Sequence, residues 1–288
     1  MWDLDPIIVH LGPLQLRYYG LLFASMLYIG FIIWRRQMLR GGYTLEIAER
    51  FLIWGVLAVL IGARLGHCLF YEPERYLSDP ITILYFWQGG LASHGATVAI
   101  PIFIFGFCKK YNLRYLEVLD RIAIPAAVGA AAVRLGNFMN SEIVGRATDV
   151  PWAVDFVRYD AMMGQPATCR HPSQLYEFCM GLFILLALYL TDRFAGKEKR
   201  PLGLLAGMFL VLYFAGRFMV EFFKEFQTLQ ESTLTMGQYL SILPFAVGVA
   251  LLGWVVVKRI PTDEGQRERL EKVRNPPLNS RGASGLSG

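Results

Sequence analysis

Cysteine and charge are both scarce in this chain, and their scarcity excludes several classes of protein. The 288 residues include four cysteines, whose spacing matches neither a metal site nor a disulfide framework. Charged residues make up only 18% of the sequence, and the net charge of +5 comes from short, separate clusters, so we expect no nucleic-acid partner. Three of the cysteines lie in or beside apolar runs, and we interpret the set as small buried hydrophobic residues: Cys68, Cys108, Cys169 and Cys179.

Signals for export, internal repeats and low complexity are also missing before residue 261. The first sixteen residues contain no basic segment followed by an apolar one, so we expect no cleavable signal peptide. Residues 261–288 differ from the rest because they mix Pro, Gly, Ser and alternating charge. This composition predicts a disordered cytoplasmic tail after a membrane domain of residues 1–260.

Long apolar runs dominate what remains, and the mean hydropathy is +0.39. Seven runs are each close to the roughly 20 residues that cross a bilayer as a helix, although the third is short. They predict an all-α integral membrane protein with seven transmembrane helices. The runs occupy residues 18–34, 51–70, 93–108, 119–139, 175–191, 203–223 and 238–257.

The connectors between the runs alternate in positive charge, which predicts their side of the membrane. The positive-inside rule places the N-terminus outside and the C-terminus in the cytoplasm. The outward connectors at about 71–92 and 140–174 are the longest, so we expect them to cap a central polar cavity. The basic connectors contain Arg35 and Arg36, Lys109 and Lys110, Arg193 and Lys197, and Lys258 and Arg259.

Polar residues at the end of the fourth run need an explanation. Arg134, Asn137, Asn140 and Glu142 follow a run rich in Ala and Gly, at the mouth of a predicted membrane helix. A charge at the centre of such a helix costs roughly 2.5–3.5 kcal/mol. A sequence that keeps these groups at this position is expected to use them in function.

Arg217 lies inside the sixth run, with Tyr213 four residues before it and Glu221 four residues after it. Residues at this spacing share one helix face. Two interpretations stay open: an internal Arg217–Glu221 ion pair that satisfies both charges, or a stripe on the wall of a polar cavity.

A third arginine, Arg64, lies between Gly62 and Gly66 in the second run. Small residues at this spacing permit close approach of another helix. Arg64 is then either a structural partner for an acid such as Glu142 or a ligand of the substrate.

Four further polar residues stand at the predicted outer ends of other runs. His94 has Gly and Ser neighbours and is either a structural group or a base or proton shuttle. Tyr19 begins the first run, where an interfacial aromatic anchor is the default interpretation. Gln174 and Glu177 lie in a helix start, and they either satisfy free backbone groups there or face the same cavity as Arg134.

Together these residues resemble the bacterial prolipoprotein diacylglyceryl transferase family. The family signature resembles Gly-Arg-x-Gly-Asn-Phe-x-Asn-x-Glu-x-x-Gly, which the chain matches from Arg134 to Gly145. The chain departs from the family pattern at Val133, Ala96 and Lys224, where glycine, glycine and arginine are usual. The resemblance covers about residues 17–258 and includes Tyr19-Gly20, Gly62, Arg64, Ser93-His94-Gly95, His171 to Glu177, Tyr213, Arg217, Glu221 and Met236-Gly237-Gln238.

The resemblance implies a reaction, its partners and its place. The diacylglyceryl group of phosphatidylglycerol would pass to the thiol of the lipobox cysteine in a preprolipoprotein, as the first step of bacterial lipoprotein maturation. A thioether forms and glycerol phosphate leaves. The resemblance also implies the bacterial cytoplasmic (inner) membrane, an active site toward its extracytoplasmic side, and neither a metal nor a diffusible cofactor.

The resemblance also assigns roles to residues of this chain. We expect a catalytic group, a phosphatidylglycerol-binding group and a supporting group. Two ways to activate the thiol stay open: His94 acts as the base, or nearby arginines stabilise the thiolate. The catalytic group is His94, Arg134, Arg217 and Tyr19; the binding group is Arg134, Asn137, Asn140, Arg217, Tyr213 and Gly145; the supporting group is Glu142, Glu221, Arg64, Gln174 and Glu177.

Two other classes of function are compatible with buried charges in a membrane protein. A transporter or channel is the first, although transporters often show repeated halves and broken helices that this sequence lacks. The second is a lipid- or signal-peptide-binding relative that has lost the chemistry.

Overall fold

The computed structural model describes residues 1–12, 14–85, 89–90, 92–225 and 234–263, and it is mostly helical. The chain forms two compact units, of which the first comprises Met1–Trp34 and Leu119–Thr262 and the second is built mainly from Arg35–Val118. The helices are α1 (Tyr18–Arg40), α2 (Leu45–Phe70), α3 (Pro73–Ser78), α4 (Ser93–Tyr111), α5 (Tyr115–Met139), α6 (Val157–Met163), α7 (Ser173–Phe194), α8 (Leu204–Val220) and α9 (Met236–Lys258), with 3₁₀ turns at Pro80–Leu84, Lys197–Lys199 and Glu221–Phe223.

Each of the seven predicted apolar runs coincides with one long helix. In the described part of the chain, five helices are long and apolar enough to cross a bilayer: α1, α2, α7, α8 with the turn that follows it, and α9. These five confirm a helical, multi-pass membrane protein, while the count of seven spans stays a prediction. Most of the predicted tail, from residue 264 onward, lies outside the described residues.

Two small antiparallel sheets depart from the all-α prediction. Strands β1 (Ile7–Leu11) and β2 (Leu14–Arg17) form a hairpin before α1, and β3 (Val154–Asp155) pairs with β4 (Cys169–Arg170). These strands are two to five residues long, too short for an alternating pattern to stand out from the sequence. Both sheets lie outside the long helices.

The four cysteines divide into two pairs that differ in burial. Cys68 and Cys108 are buried, as the sequence predicts. Cys169 and Cys179 are exposed, so the prediction is wrong for them. Cys169 lies in the short strand β4, and Cys179 lies on a face of α7 that no described residue covers.

In the second unit, α2 packs closely against α4 through glycine. A Cβ at Gly66 would lie 2.7 Å from Cα of Gly95, and one at Gly62 would lie 2.8 Å from the Gly95 carbonyl oxygen. Such contacts are too short for any side chain, so glycine at these positions lets the two backbones touch. The predicted role of small residues around Arg64 is therefore confirmed.

In the first unit, α5, α7 and α8 form a tightly packed group. Their core contains Ala123, Ala127, Ile184, Leu188 and Leu205, all of them buried. Near the other end, a Cβ at Gly181 of α7 would lie 2.9 Å from Cβ of Ala131 on α5. Small residues therefore bring α5 and α7 close together at the end where their polar residues lie.

Candidate active site

Arg134, near the end of α5, forms an ion pair with Glu177 in the first turns of α7. Its Nε lies 3.1 Å from Oε2 of Glu177, whose side chain is 1% exposed. Among the described residues, the other hydrogen bond of this guanidinium is a long one, 3.5 Å from Nη1 to Oδ1 of Asn137. A guanidinium held mainly through Nε keeps its two terminal nitrogens available for a ligand with two oxygens.

The same carboxylate also holds Lys224, which follows the turn after α8. Oε1 of Glu177 lies 3.1 Å from Nζ of Lys224, and Oε2 of Glu221 lies 3.2 Å from the same nitrogen. Lys224 is buried between these two acids. The sequence marks Lys224 only as a departure from a family pattern, and nothing in its local spacing indicates the contact with Glu177.

Glu142 accepts hydrogen bonds from two amides and has no cationic partner among the described residues. Nδ2 of Asn137 lies 2.6 Å from its Oε1, and Nδ2 of Asn140 lies 3.3 Å from the same oxygen. Glu142 and Glu221, both placed in the supporting group, therefore pair with neither Arg134 nor Arg217. Glu177 holds Arg134, Glu142 orients the two asparagines, and Glu221 holds Lys224.

The turn that carries Glu142 has strained backbone on both sides of it. Ser141 and Ile143 have φ values of 55° and 56°, in the left-handed region that a β-branched residue rarely adopts. The start of α7 supports this turn, because Nε2 of Gln174 donates to the Glu142 carbonyl at 2.8 Å and Oγ of Ser173 donates to the Ile143 carbonyl at 3.0 Å. Gln174 thus stabilises the geometry that aims Glu142 at the asparagines.

Gly145 lies where three backbone segments meet. Its N–H donates to the His171 carbonyl at 3.0 Å, and it forms an isolated bridge with Lys224. A Cβ at this position would collide with the His171 carbonyl and would lie 2.7 Å from the Phe223 carbonyl oxygen. Glycine is therefore required here for the backbone to reach Lys224.

Tyr19 packs against the same stretch of α5. A Cβ on Gly136 would lie 2.7 Å from Cδ2 of the Tyr19 ring, so the ring rests directly on the helix backbone between Arg134 and Asn137. Tyr19 is half-buried. Its position adds a phenol to the group of polar side chains at this end of α5.

Arg217 is half-buried on α8, and its guanidinium makes no hydrogen bond or ion pair with a described residue. The interpretation as an internal pair with Glu221 is therefore wrong. Glu221 instead turns to Lys224, and Gly237 leaves room for its carboxylate, since a Cβ there would lie 2.5 Å from Oε1. Tyr213, one turn before Arg217, stacks on Phe209.

Arg64, in the second unit, serves the connector that follows α2. Its buried guanidinium donates to the carbonyls of Thr82 at 2.7 Å and Gly89 at 2.6 Å, among other carbonyls of that connector. Backbone carbonyls thus compensate this charge, and no acid is needed. His94, in the first turn of α4, is exposed, and its imidazole makes no hydrogen bond with a described residue, so the ring is accessible.

A second ionic group lies next to Lys224 in the chain. Glu225 accepts a 2.6 Å hydrogen bond from the Tyr159 hydroxyl and forms an ion pair of 3.2 Å with Arg170, which also pairs with Asp160 at 3.0 Å. Burial, and the hydrogen bond that the phenol donates to Glu225, raise the pKa of Tyr159 to about 12. These contacts fasten α6 to the segment that carries Lys224.

Comparisons with known proteins identify close relatives along most of the chain. The sequence model of the family described as "Prolipoprotein diacylglyceryl transferase" matches residues 6–254. Proteins named "Phosphatidylglycerol--prolipoprotein diacylglyceryl transferase" are 41% identical over 260 residues in Nitrosomonas europaea and 39% identical over 256 residues in Tolumonas auensis. These alignments cover 87% of this chain and, respectively, 89% and 95% of the relatives.

Proposed function

Because the chain belongs to the prolipoprotein diacylglyceryl transferase family, we propose how its own residues perform that reaction. The protein is a transferase of lipoprotein maturation that moves the diacylglyceryl group from phosphatidylglycerol to a prolipoprotein. The acceptor is the thiol of the lipobox cysteine. Its sulfur forms a bond to the glyceryl carbon, the bond from that carbon to the phosphate oxygen breaks, and glycerol phosphate leaves with the electron pair.

The phosphate is bound by Arg134 and Arg217. The observation that carries this assignment is the contrast between them: Glu177 holds Arg134 by Nε, while Arg217 has no acidic partner among the described residues. An anionic oxygen placed between them receives charge-assisted hydrogen bonds from two different helices. The same donors stabilise the negative charge that develops on the departing phosphate.

The remaining polar residues orient the two substrates. Oδ1 of Asn140 is buried without a hydrogen-bond partner among the described residues, which suits acceptance of a glycerol hydroxyl. Asn137, Tyr213 and Tyr19 line the same site. Gly145 contributes by letting its backbone segment contact those of His171 and Lys224. The thiol, with an ordinary pKa near 8.5, loses its proton either to His94 or under the influence of the arginines.

The positions of these residues on their helices support the proposed membrane arrangement. With seven spans and the N-terminus outside, α5 and α8 end, and α7 begins, at the outer face. Arg134, Glu177 and Arg217 all lie at those ends. Tyr19 and His94 lie in the first turns of α1 and α4, which begin at the outer face under the same topology. The site then opens toward the extracytoplasmic side of the bacterial cytoplasmic membrane, and residues 261–288 form a cytoplasmic tail.

The test uses purified full-length protein with phosphatidylglycerol vesicles and a synthetic lipobox peptide. The native chain yields a diacylglyceryl thioether on the cysteine, detected as a mass increase, and releases glycerol phosphate. Arg134→Ala and Arg217→Ala abolish the product while the protein stays folded. Arg158→Ala is the matched control, because the exposed side chain of this arginine, in the same unit, forms only a 3.8 Å ion pair with Asp5 among the described residues. Full activity in Arg134→Ala contradicts the assignment of Arg134 to phosphate binding.

A further inference from the structure

A second buried charge cluster joins α5, α7 and α8 at the ends opposite the active site. Its centre is Asp120 on α5, which is fully buried and whose carboxylate reaches the start of α8. Oδ2 accepts from the Gly203 N–H at 2.7 Å, and Oδ1 accepts from the Ala206 N–H at 2.8 Å. Asp120 therefore caps the first turn of a neighbouring helix.

Helix α8 has no cap of its own. Gly203 precedes it with a φ of 90°, and no local side chain accepts a hydrogen bond from its first N–H groups. Those groups carry partial positive charge, which a carboxylate compensates better than any neutral acceptor. The residue that supplies this carboxylate lies 83 positions earlier in the chain, so the cap also links two helices.

Arg200 extends the link to α7. This residue is fully buried just before α8, 3.9 Å from Asp120 and 2.7 Å from Asp192 near the end of α7. Each of the three helices thus contributes one residue to the cluster or starts directly at it. Each also contributes at least one residue to the active site at its other end.

The spacing along the helices is nearly the same in all three. Fourteen positions separate Asp120 from Arg134 on α5, fourteen separate Gly203 from Arg217 on α8, and fifteen separate Asp192 from Glu177 on α7. At 1.5 Å per residue these intervals are about 21 to 22 Å. When helices are joined at one end and have equal lengths from that point, their other ends lie at the same depth in the membrane.

We propose that Asp120 is a positioning residue, which sets the axial register between α5 and α8 and so brings Arg134 and Arg217 to the same level of the membrane. At the active-site end, the described hydrogen bonds on this side join the segments that follow α5 and α8, such as the Arg146 N–H to the Phe223 carbonyl at 2.9 Å, and not the two helices themselves. The hydrogen bonds of Asp120 are directional and buried. This role rests on the proposed function of the two arginines as a phosphate-binding pair.

The experiment compares Asp120→Ala and Asp120→Asn with a control from the same cluster. Thr262→Val is the control, because the buried Thr262 hydroxyl donates to the Arg200 carbonyl at 3.0 Å without linking α5 to α8. Three quantities are measured for each protein: the melting temperature, kcat and KM per folded molecule, and the rise in melting temperature on adding glycerol phosphate. The last reports binding to the arginine pair without turnover.

The Asp120 variants are expected to lose kcat by about 10- to 100-fold, because misplacement by 1 Å has an effect of that order. They also lose the stabilisation by glycerol phosphate, while Thr262→Val melts lower but keeps kcat within about twofold, as expected of a site removed from the chemistry. If Asp120→Ala does not fold, Asp120→Asn decides, since its side chain keeps the shape and one acceptor oxygen.

An Asp120 variant that melts lower yet keeps native kcat and the native glycerol phosphate effect overturns the proposal, since Asp120 would then only stabilise the fold. Failure of the proposed function gives a different result: the native chain itself then yields no thioether product.

Discussion

Glu177 holds Arg134 by a single nitrogen: Oε2 of the glutamate lies 3.1 Å from Nε of the arginine. The glutamate is almost completely buried and stands at the start of α7, while the arginine stands at the end of α5. The ion pair keeps the guanidinium beside α7, and among the described residues its terminal nitrogens make only the long contact with Asn137. Four changes to the site and its surroundings test this arrangement.

Glu177→Gln removes the charge that Arg134 and Lys224 share and keeps the size of the side chain. We expect kcat/KM for phosphatidylglycerol to fall about 10- to 100-fold, because Arg134 loses the ion pair that keeps it in place. Thioether formation by the purified variant measures this loss. Glu46→Gln, which alters an exposed ion pair with Arg50, serves as the control and should keep native activity. Equal activity in both variants contradicts this role of the ion pair.

Lys224→Met leaves the carboxylates of Glu177 and Glu221 buried without their shared cation. Removing one partner of a buried ion pair typically costs about 3–5 kcal/mol, so the melting temperature and activity should both fall. Lys224→Arg restores a cation and should retain most of both. A native melting temperature for Lys224→Met would show that the two acids do not depend on this lysine.

Gly136→Ala places a Cβ 2.7 Å from the Tyr19 ring, which must then move away from α5. We expect a raised KM for phosphatidylglycerol and a lower kcat, with the protein still folded. Gly253→Ala on α9 is the matched control, because nothing lies within 4 Å of its added Cβ. Alanine in that helix should be neutral or stabilising by up to about 1 kcal/mol. Unchanged kinetics in Gly136→Ala would remove Tyr19 from the site.

Tyr159→Phe removes the hydroxyl that donates to Glu225. The folded protein raises the pKa of this phenol from 10.0 to about 12, so the native state holds the proton more tightly than the unfolded chain. The resulting stabilisation is complete below pH 10 and is lost as the pH rises from 10 to about 12. Melting curves of both proteins between pH 8 and 12 should therefore converge at the alkaline end. Curves that stay parallel over this range contradict the assigned bond.

The positions of the long helices could be predicted from the sequence, because a membrane helix is specified locally by about 20 consecutive apolar residues. A close contact of α2 with another helix could also be predicted, since the glycines around Arg64 act through their own small size, but only the structure identifies that helix as α4. The short strands could not be predicted, because a strand of two residues such as β3 depends on a partner elsewhere in the chain for its hydrogen bonds.

The sequence by itself determined which polar residues stand at the helix ends, and so the family and its chemistry. Only the tertiary structure decided how those residues pair. Spacing along α8 offered Glu221 as the partner of Arg217, yet Glu221 contacts Lys224, and Arg134 takes Glu177 from another helix. The physical reason is that spacing within one helix shows only which residues share a face. The partner of a buried charge is set by the neighbouring helix that excludes water from it.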